Sequence, residues 1–260
     1  MTFRELHFAG ELPLLLPNAW DVASALAFAE AGFPAVGTTS FGVGAAAGHA
    51  DGGRATKDAT LALARALAPL PVHVTADIED GYAEDPEEVA ACAAALGALG
   101  VAGVNIEDST AGRLIAPEDH ARKIRAVKRH APELFVNARV DTYWLGQDAG
   151  LTGTLRRAAA YVEAGADGVF VPGATGPEEL RRLAAEIPVP VNVLVVAGLS
   201  LADLGALGIR RVSTGSLPYR AAIDAAVGTA TAVRDGGPVP AATPYPRMQQ
   251  RLRRYEESAR

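Results

Sequence analysis

Eight times between Leu12 and Arg234 a short apolar run is followed by a stretch with helical spacing. That alternation limits the folds open to this chain more than any other feature. The runs that read as strands are 12–16, 35–40, 71–77, 101–106, 134–139, 167–171, 189–194 and 209–214. The stretches between them, predicted as helices, are 22–31, 58–67, 86–96, 118–130, 151–164, 177–186, 201–207 and 218–234. Neighbouring parallel strands need a crossover connection, and strands alternating with helices supply one at every step. Eight such units in about 250 residues match the size of a closed (β/α)₈ TIM barrel of class α/β. A doubly wound open sheet is the second choice. No change of composition marks a linker before Asp235-Gly236-Gly237-Pro238, which breaks the last long helix. The expected organisation is one barrel domain, 1–236, and a C-terminal extension, 237–260. That arginine-rich extension reads either as an additional helix on a partner subunit or as a solvated end.

Bulk properties narrow the function. Of the 260 residues 49% are hydrophobic, ample for a large core, and the net charge of −6 offers no basic field to nucleic acid. No apolar run is long enough to cross a membrane, and the N-terminus has no leader-like pattern. The single cysteine, Cys92, lies in an alanine-rich helical stretch and reads as a core residue. One cysteine permits no internal disulfide, which fits a cytoplasmic protein.

In such a barrel the active site lies where the strands end, at their C-terminal rim. Asp77 and Glu79 close the third predicted strand. Glu107 and Asp108 follow the fourth, and Arg139 ends the fifth. Residues two apart on a strand share a side, so Asp77 and Glu79 are expected to face the rim together, with Asp80 turned away. Clustered carboxylates suit a hard divalent cation, Mg²⁺ first and Mn²⁺ as an alternative. The arginine suits a two-point grip on a carboxylate or phosphonate. Asn192 lies within the seventh strand, and Ser213 to Ser216 end the eighth. The stretch Phe41–Arg54 reads as a long glycine-rich loop over the mouth. Its spacing of glycines is wrong for a dinucleotide fingerprint. Asp51 is its only acid and the first candidate for chemistry there.

Three segments carry a family resemblance: Thr75-Ala76-Asp77-Ile78-Glu79-Asp80-Gly81-Tyr82, Gly103-Val104-Asn105-Ile106-Glu107-Asp108 and Asn137-Ala138-Arg139-Val140-Asp141. With Leu16-Pro17-Asn18-Ala19-Trp20-Asp21 and Ser213-Thr214-Gly215-Ser216, they make the chain resemble the isocitrate lyase and phosphoenolpyruvate mutase superfamily. The resemblance implies that Asp77 binds the metal, and that Glu79 and Glu107 reach it largely through water. It implies that Arg139 grips the substrate and that Thr39, Ser40 and Phe41 hold its carboxylate by their backbone. Asp51 and Arg139 are then the catalytic pair. The substrate-binding set is Thr39, Ser40, Phe41, Arg139 and Asn192. The resemblance further implies a homo-oligomer, dimer or tetramer, with the last helix swapped between subunits.

One departure bears on the reaction. Lyases of this superfamily carry a cysteine- and histidine-containing loop after the fourth strand, whereas this chain has Asp108-Ser109-Thr110-Ala111-Gly112-Arg113-Leu114-Ile115. The thiol acid/base is missing. The expectation is a Mg²⁺-dependent enzyme that makes or breaks a C–C or P–C bond beside a 2-oxo acid, through an enolpyruvate-like intermediate. Its substrate is oxaloacetate-like or phosphonopyruvate-like. A lyase is preferred to a hydrolase or phosphonomutase. Two rivals stand beside it: a barrel isomerase or synthase gripping phosphate at Gly198 and Gly215, and a non-catalytic anion-binding barrel.

Overall fold

A computed structural model describes residues 1–259. Parallel strands form one sheet in the order β1 (Leu14–Leu16), β11 (Arg211–Ser213), β10 (Val191–Leu194), β9 (Gly168–Phe170), β8 (Phe135–Arg139), β5 (Gly103–Glu107), β4 (His73–Asp77), β3 (Ala35–Thr38) and β2 (Asn18–Ala19). The two ends of that order are consecutive in the chain, so the sheet closes as a TIM barrel. Pro17, which has no N–H to give to a ladder, is what splits the first strand into β1 and β2. The Asn18 side chain bridges the break. Its Nδ2 donates to the Thr38 carbonyl (2.8 Å) and its Oδ1 accepts from the Gly215 N–H (2.9 Å).

Around the sheet run α2 (Val22–Glu30), α4 (Lys57–Leu67), α5 (Pro86–Ala98), α6 (Pro117–His130), α8 (Leu151–Glu163), α9 (Pro177–Glu186) and α10 (Leu201–Ala206). Local chemistry starts several of them. Asp21 and Ser24 form a capping box on α2, and Ser200 and Asp203 do the same on α10. Pro86 and Pro117 occupy first-turn positions, where the missing N–H costs nothing.

The main core lies between the sheet and the helices. Val104, Ile106, Val136 and Ala138 point outward into it and are at most 1% exposed, as do Ile124, Leu180 and Leu183 from the helices. Cys92 belongs to the same core, and burial pushes its thiol pKa up. The alternate strand residues fill the lumen, and many are polar: Thr75, Asn105, Asn137, Asn192, Arg211 and Ser213. A TIM-barrel interior is ordinarily filled by Val, Ile and Leu. Glycines make room for the larger groups. A Cβ on Gly168 would lie 2.9 Å from Asn137 Oδ1, and one on Gly103 would lie 2.7 Å from the Phe135 carbonyl oxygen. The short helix α1 (Phe3–Leu6) plugs the lower end, where His7 stacks on Phe135 at 4.7 Å between ring centres.

Two regions differ from the sequence expectation. The stretch after β3 is not a loop throughout: Thr39 caps α3 (Ser40–Ala46), which begins at the strand end. A β-strand feeding directly into a helix leaves no spacer for glycines to signal. The C-terminal extension forms α12 (Tyr245–Ser258), and it packs on its own chain. Arg251 pairs with Glu30 at 2.8 Å, and the Tyr255 hydroxyl donates to the Ala66 carbonyl at 2.6 Å. The preceding helix α11 (Leu217–Arg234) buries none of its residues. No helix among the described residues is long and apolar enough to cross a membrane.

Candidate active site

The pocket opens at the C-terminal rim of the strands. One side is polar: Asp77 from β4, Asn105 from β5, Arg139 from β8 and Ser213 from β11, with Asn18 at the barrel seam. The other side is largely apolar, formed by Phe41, Trp144, Phe170, Pro172 and Leu194. Asp51 lines the mouth from the loop after α3, and Thr39 and Ser40 line it from the α3 N-terminus.

Arg139 is the centre of charge. Its Nη1 pairs with Glu107 at 2.8 Å and its Nε with Asp141 at 2.6 Å. The guanidinium carbon lies 5.7 Å from the Trp144 ring centre and 5.8 Å from that of Phe170. Burial opposes the arginine's charge, but Glu107 and Asp141 outweigh it and raise its pKa. The Glu107 carboxyl stands well above its ordinary range. Burial is the main reason, and Asp141, Asp77 and Asp51 add to it against the pull of Arg139. Asp51 is likewise raised, by burial of its carboxyl and then by the Asp77 charge. The Asp77 Oδ2 accepts from the Ser40 N–H (3.2 Å) and hydroxyl (2.8 Å), which fixes it at the first turn of α3.

The acid run after β4 divides. Strand β4 ends at Asp77, and Glu79 adopts φ 49°, so two-residue alternation stops before it. Glu79 therefore does not line the pocket beside Asp77. Its carboxylate accepts from the Thr56 hydroxyl (2.5 Å) and the Arg54 N–H (2.8 Å), and burial raises its pKa. Asp80 accepts from the Arg54 side chain (2.5 Å) and the Thr110 hydroxyl (2.6 Å), with Lys123 at 3.8 Å. Asp80 also accepts from the Tyr82 N–H (3.1 Å), so it holds the turn as well. Glu79 and Asp80 together anchor the far end of the loop that carries Asp51.

Asn192 is 1% exposed and lies below the pocket, where its Oδ1 accepts from the Ser213 hydroxyl at 3.2 Å. It does not reach the lining. Asn105 does, and sequence reasoning missed it. Stepping back two residues from Glu107 along β5 would have found it. Trp144, on the one-turn helix α7 (Thr142–Leu145), carries no such signal.

The segment that replaces the lyase loop is a tight hairpin. Strand β6 (Ser109–Thr110) pairs with β7 (Arg113–Leu114) across Ala111 and Gly112, both at positive φ, as a two-residue turn of matching twist requires. The Gln147 side chain grips it, donating to the Gly112 carbonyl (2.9 Å) and accepting from the Leu114 N–H (3.1 Å). Ser109 donates to Asp141 at 2.6 Å. The hairpin thus braces the carboxylate that braces Arg139, and puts no side chain into the pocket. Gly215 does line the pocket, but its N–H is already given to Asn18, and Gly198 does not line it. Neither glycine offers the phosphate grip considered for them.

Among the described residues no three acids, histidines or cysteines form a closed metal cage. The donors that are present, Asp77 lining the pocket and Glu107 on the Arg139 guanidinium, are hard oxygens. That set fits Mg²⁺, which commonly keeps several waters and takes only one or two carboxylates.

The profile of the phosphoenolpyruvate phosphomutase family matches residues 3–234. An uncharacterized protein of Mycobacterium tuberculosis is 56% identical over 256 residues, covering 98% of each chain. The 2-methylisocitrate lyase of Bacillus subtilis is 34% identical over 201 residues, which is 73% of this chain and 64% of the lyase. Among solved structures, a phosphonopyruvate hydrolase with oxalate and Mg²⁺ superposes with a TM-score of 0.84 at 25% identity, covering 100% of this chain and 99% of the hydrolase. With the barrel, the rim acids and Arg139 in place, the match over most of its length shows that this chain belongs to the phosphoenolpyruvate phosphomutase family of enzymes.

Proposed function

We propose that the enzyme is a divalent-metal-dependent lyase that removes a carboxylate from an oxaloacetate-like 2-oxo acid. The observation that carries this reading is the pocket lining. It holds carboxylates, amides, hydroxyls and one arginine, and among the described residues no thiol, imidazole or amine. Cleavage of a hydroxylated tricarboxylate starts with removal of a hydroxyl proton and needs a base. Loss of CO₂ from a 3-carboxylated 2-oxo acid does not. The C3–C4 bond breaks, its electron pair becomes the enolate, and C4 leaves as CO₂. The enolate carbon then takes one proton to give the shorter 2-oxo acid.

The residues have roles in that sequence. Arg139 grips a substrate oxygen on the face it shares with Glu107. In the first turn of α3 the Thr39 N–H is given to the Ala19 carbonyl and the Ser40 N–H to Asp77, so the Phe41 N–H is the backbone donor left for the substrate carboxylate, with the Thr39 and Ser40 side chains beside it. Phe41, Trp144, Phe170 and Leu194 give an apolar wall, which favours loss of charge from the departing carboxylate. Asp51, held above the ordinary carboxyl range, is a proton source at the mouth. Asp77 would hold the metal, and Glu107, with Glu79 outside the pocket lining, would support it through water. Mg²⁺ is preferred and Mn²⁺ is the alternative. When bound, such an ion supplies the positive charge that polarises the 2-oxo group. Asn192 acts from below the lining.

The same reading takes residues 1–236 as the barrel and 237–260 as its extension. It takes the chain as a cytoplasmic homo-oligomer that exchanges α11. The exposure of Val227 (61%) and Val233 (62%) on that helix supports an apolar partner for it. CO₂ release from oxaloacetate with Mg²⁺, compared with turnover of 2-methylisocitrate and phosphonopyruvate, tests the reading. Asp77→Ala is expected to abolish the metal-dependent release. Persistence of that release in the variant would exclude Asp77 as the ligand, and faster turnover of either other acid would exclude the substrate class.

A further inference from the structure

Beneath the pocket lies a second buried arginine that the reaction above does not use. Arg211 is 1% exposed, and among the described residues no carboxylate comes within ion-pair distance of it. Taking an unpaired cation out of water is strongly unfavourable. Its polar contacts are all neutral. Its Nη2 donates to Asn105 Oδ1 at 3.2 Å, and its Nε donates to Ser213 Oγ at 3.2 Å. Both of those side chains line the pocket.

A guanidinium has five donors and no acceptor, whereas an asparagine amide has one end of each kind. The Asn105 atom that faces Arg211 must therefore be its oxygen. Asn137 Nδ2 donates to that same oxygen at 2.9 Å, which completes its coordination. The Asn105 NH₂ group is left at the pocket side. Ser213 obeys the same logic. It accepts from Arg211, so its own hydrogen goes to Asn192 Oδ1 at 3.2 Å.

We infer that Arg211 is a positioning residue that sets the hydrogen-bond polarity of the pocket floor, so that Asn105 presents its NH₂ group to an anionic oxygen of the substrate. The buried positive charge acts through Asn105 in the same sense, since no carboxylate is close enough to neutralise it and only the Asp77 charge, farther off, offsets its burial. Burial lowers its pKa to about 9, which leaves it protonated at neutral pH. The floor is thus built to receive an acceptor and to reject a donor. This rests on the reading of the pocket as a 2-oxo acid site.

Oxalate binding in the presence of Mg²⁺, measured by calorimetry on the full chain, tests the inference. Arg211→Gln is neutral and shorter, ending near the place of the arginine Nε, so it removes both the charge and the Nη2 donor that faces the Asn105 oxygen. Arg211→Lys keeps a donor-only cation. Oxalate affinity is expected to fall at least tenfold in Arg211→Gln and to stay within a few-fold in Arg211→Lys. Asn105→Ala is expected to lose a similar factor and to fold with a lowered melting temperature, since Arg211 and Asn137 each lose an acceptor, and it serves alone if Arg211→Gln does not fold. In ¹⁵N-labelled protein the Asn105 side-chain amide signals, identified by their loss in Asn105→Ala, should shift on adding oxalate. Wild-type affinity in a folded Arg211→Gln, or in Asn105→Ala, overturns the inference alone. Failure of the wild-type protein to bind oxalate overturns the 2-oxo acid reading and the inference with it.

Discussion

Arg139, half-buried, and Arg211, fully buried, share one barrel lumen, and they are held in opposite ways. Arg139, at the rim, has carboxylates at 2.8 and 2.6 Å. Arg211, at the floor, has an amide oxygen and a hydroxyl at 3.2 Å each. The rim arginine is fixed by charge, and its neighbours raise its pKa while burial lowers that of the floor arginine. A charge already neutralised positions a ligand by geometry. A charge left unpaired contributes field and forces the orientation of neutral dipoles around it. On the function and inference proposed above, the two together would give a small pocket both a two-point grip and a floor of fixed polarity.

The largest break in this comparison comes from Arg139→Ala. It removes the grip and leaves Glu107 and Asp141 without their cation. Turnover should fall at least a hundredfold, and stability of the metal-free protein should drop by about 3–5 kcal/mol, read by urea unfolding. An unchanged midpoint would show that the two acids neutralise by protonation instead. Asp51→Asn should sharpen the division of labour. With Asp51 as proton source at the mouth, kcat is expected to fall ten- to a hundredfold while oxalate affinity holds. Loss of affinity with unchanged kcat would move Asp51 from proton transfer to binding.

Packing beneath the site gives a smaller effect. Gly168→Ala places a Cβ 2.9 Å from Asn137 Oδ1 and 3.1 Å from the Phe135 ring. The expected loss is about 1–3 kcal/mol, with the amide chain to Asn105 disturbed as well. Full stability in that variant would mean the lumen has slack. The smallest effect is on the plug below Arg211. Burial, and then Arg211, lowers the His7 pKa to about 4. The unfolded chain binds that proton near pH 6.5 and the native state does not. Stability is therefore expected to decline as pH falls from about 6.5 towards about 4. In Arg211→Gln the His7 titration, followed by NMR, should move upward. An unmoved titration would place Arg211 too far away to act on its surroundings by charge.

Much of the fold was legible because the signals are local. The eight apolar runs follow from backbone period and burial, and Pro17, Asp21 and Ser200 act on their immediate neighbours. Asp77, Glu107 and Arg139 were legible as a rim because a parallel barrel brings all strand ends to one side. Glu79 was not, because it lies two residues past the end of β4 and turns left-handed there, so the two-residue alternation of the strand does not carry to it. Asn192 was misplaced for a related reason: period two puts it inside the lumen but does not give its height. Trp144 and the α3 helix have no repeating pattern, so nothing in the chain announces them.

The sequence by itself determined the alternation, hence the barrel, and the composition of the rim, including the absence of a thiol or imidazole after β5. Those depend on residue type and spacing alone. The tertiary structure decided which acids meet the pocket and which tie down the Asp51 loop. It also decided that one arginine is paired and the other is not. Pairing depends on distances between residues far apart in the chain, such as Arg211 and Asn105, and spacing along the backbone does not encode those.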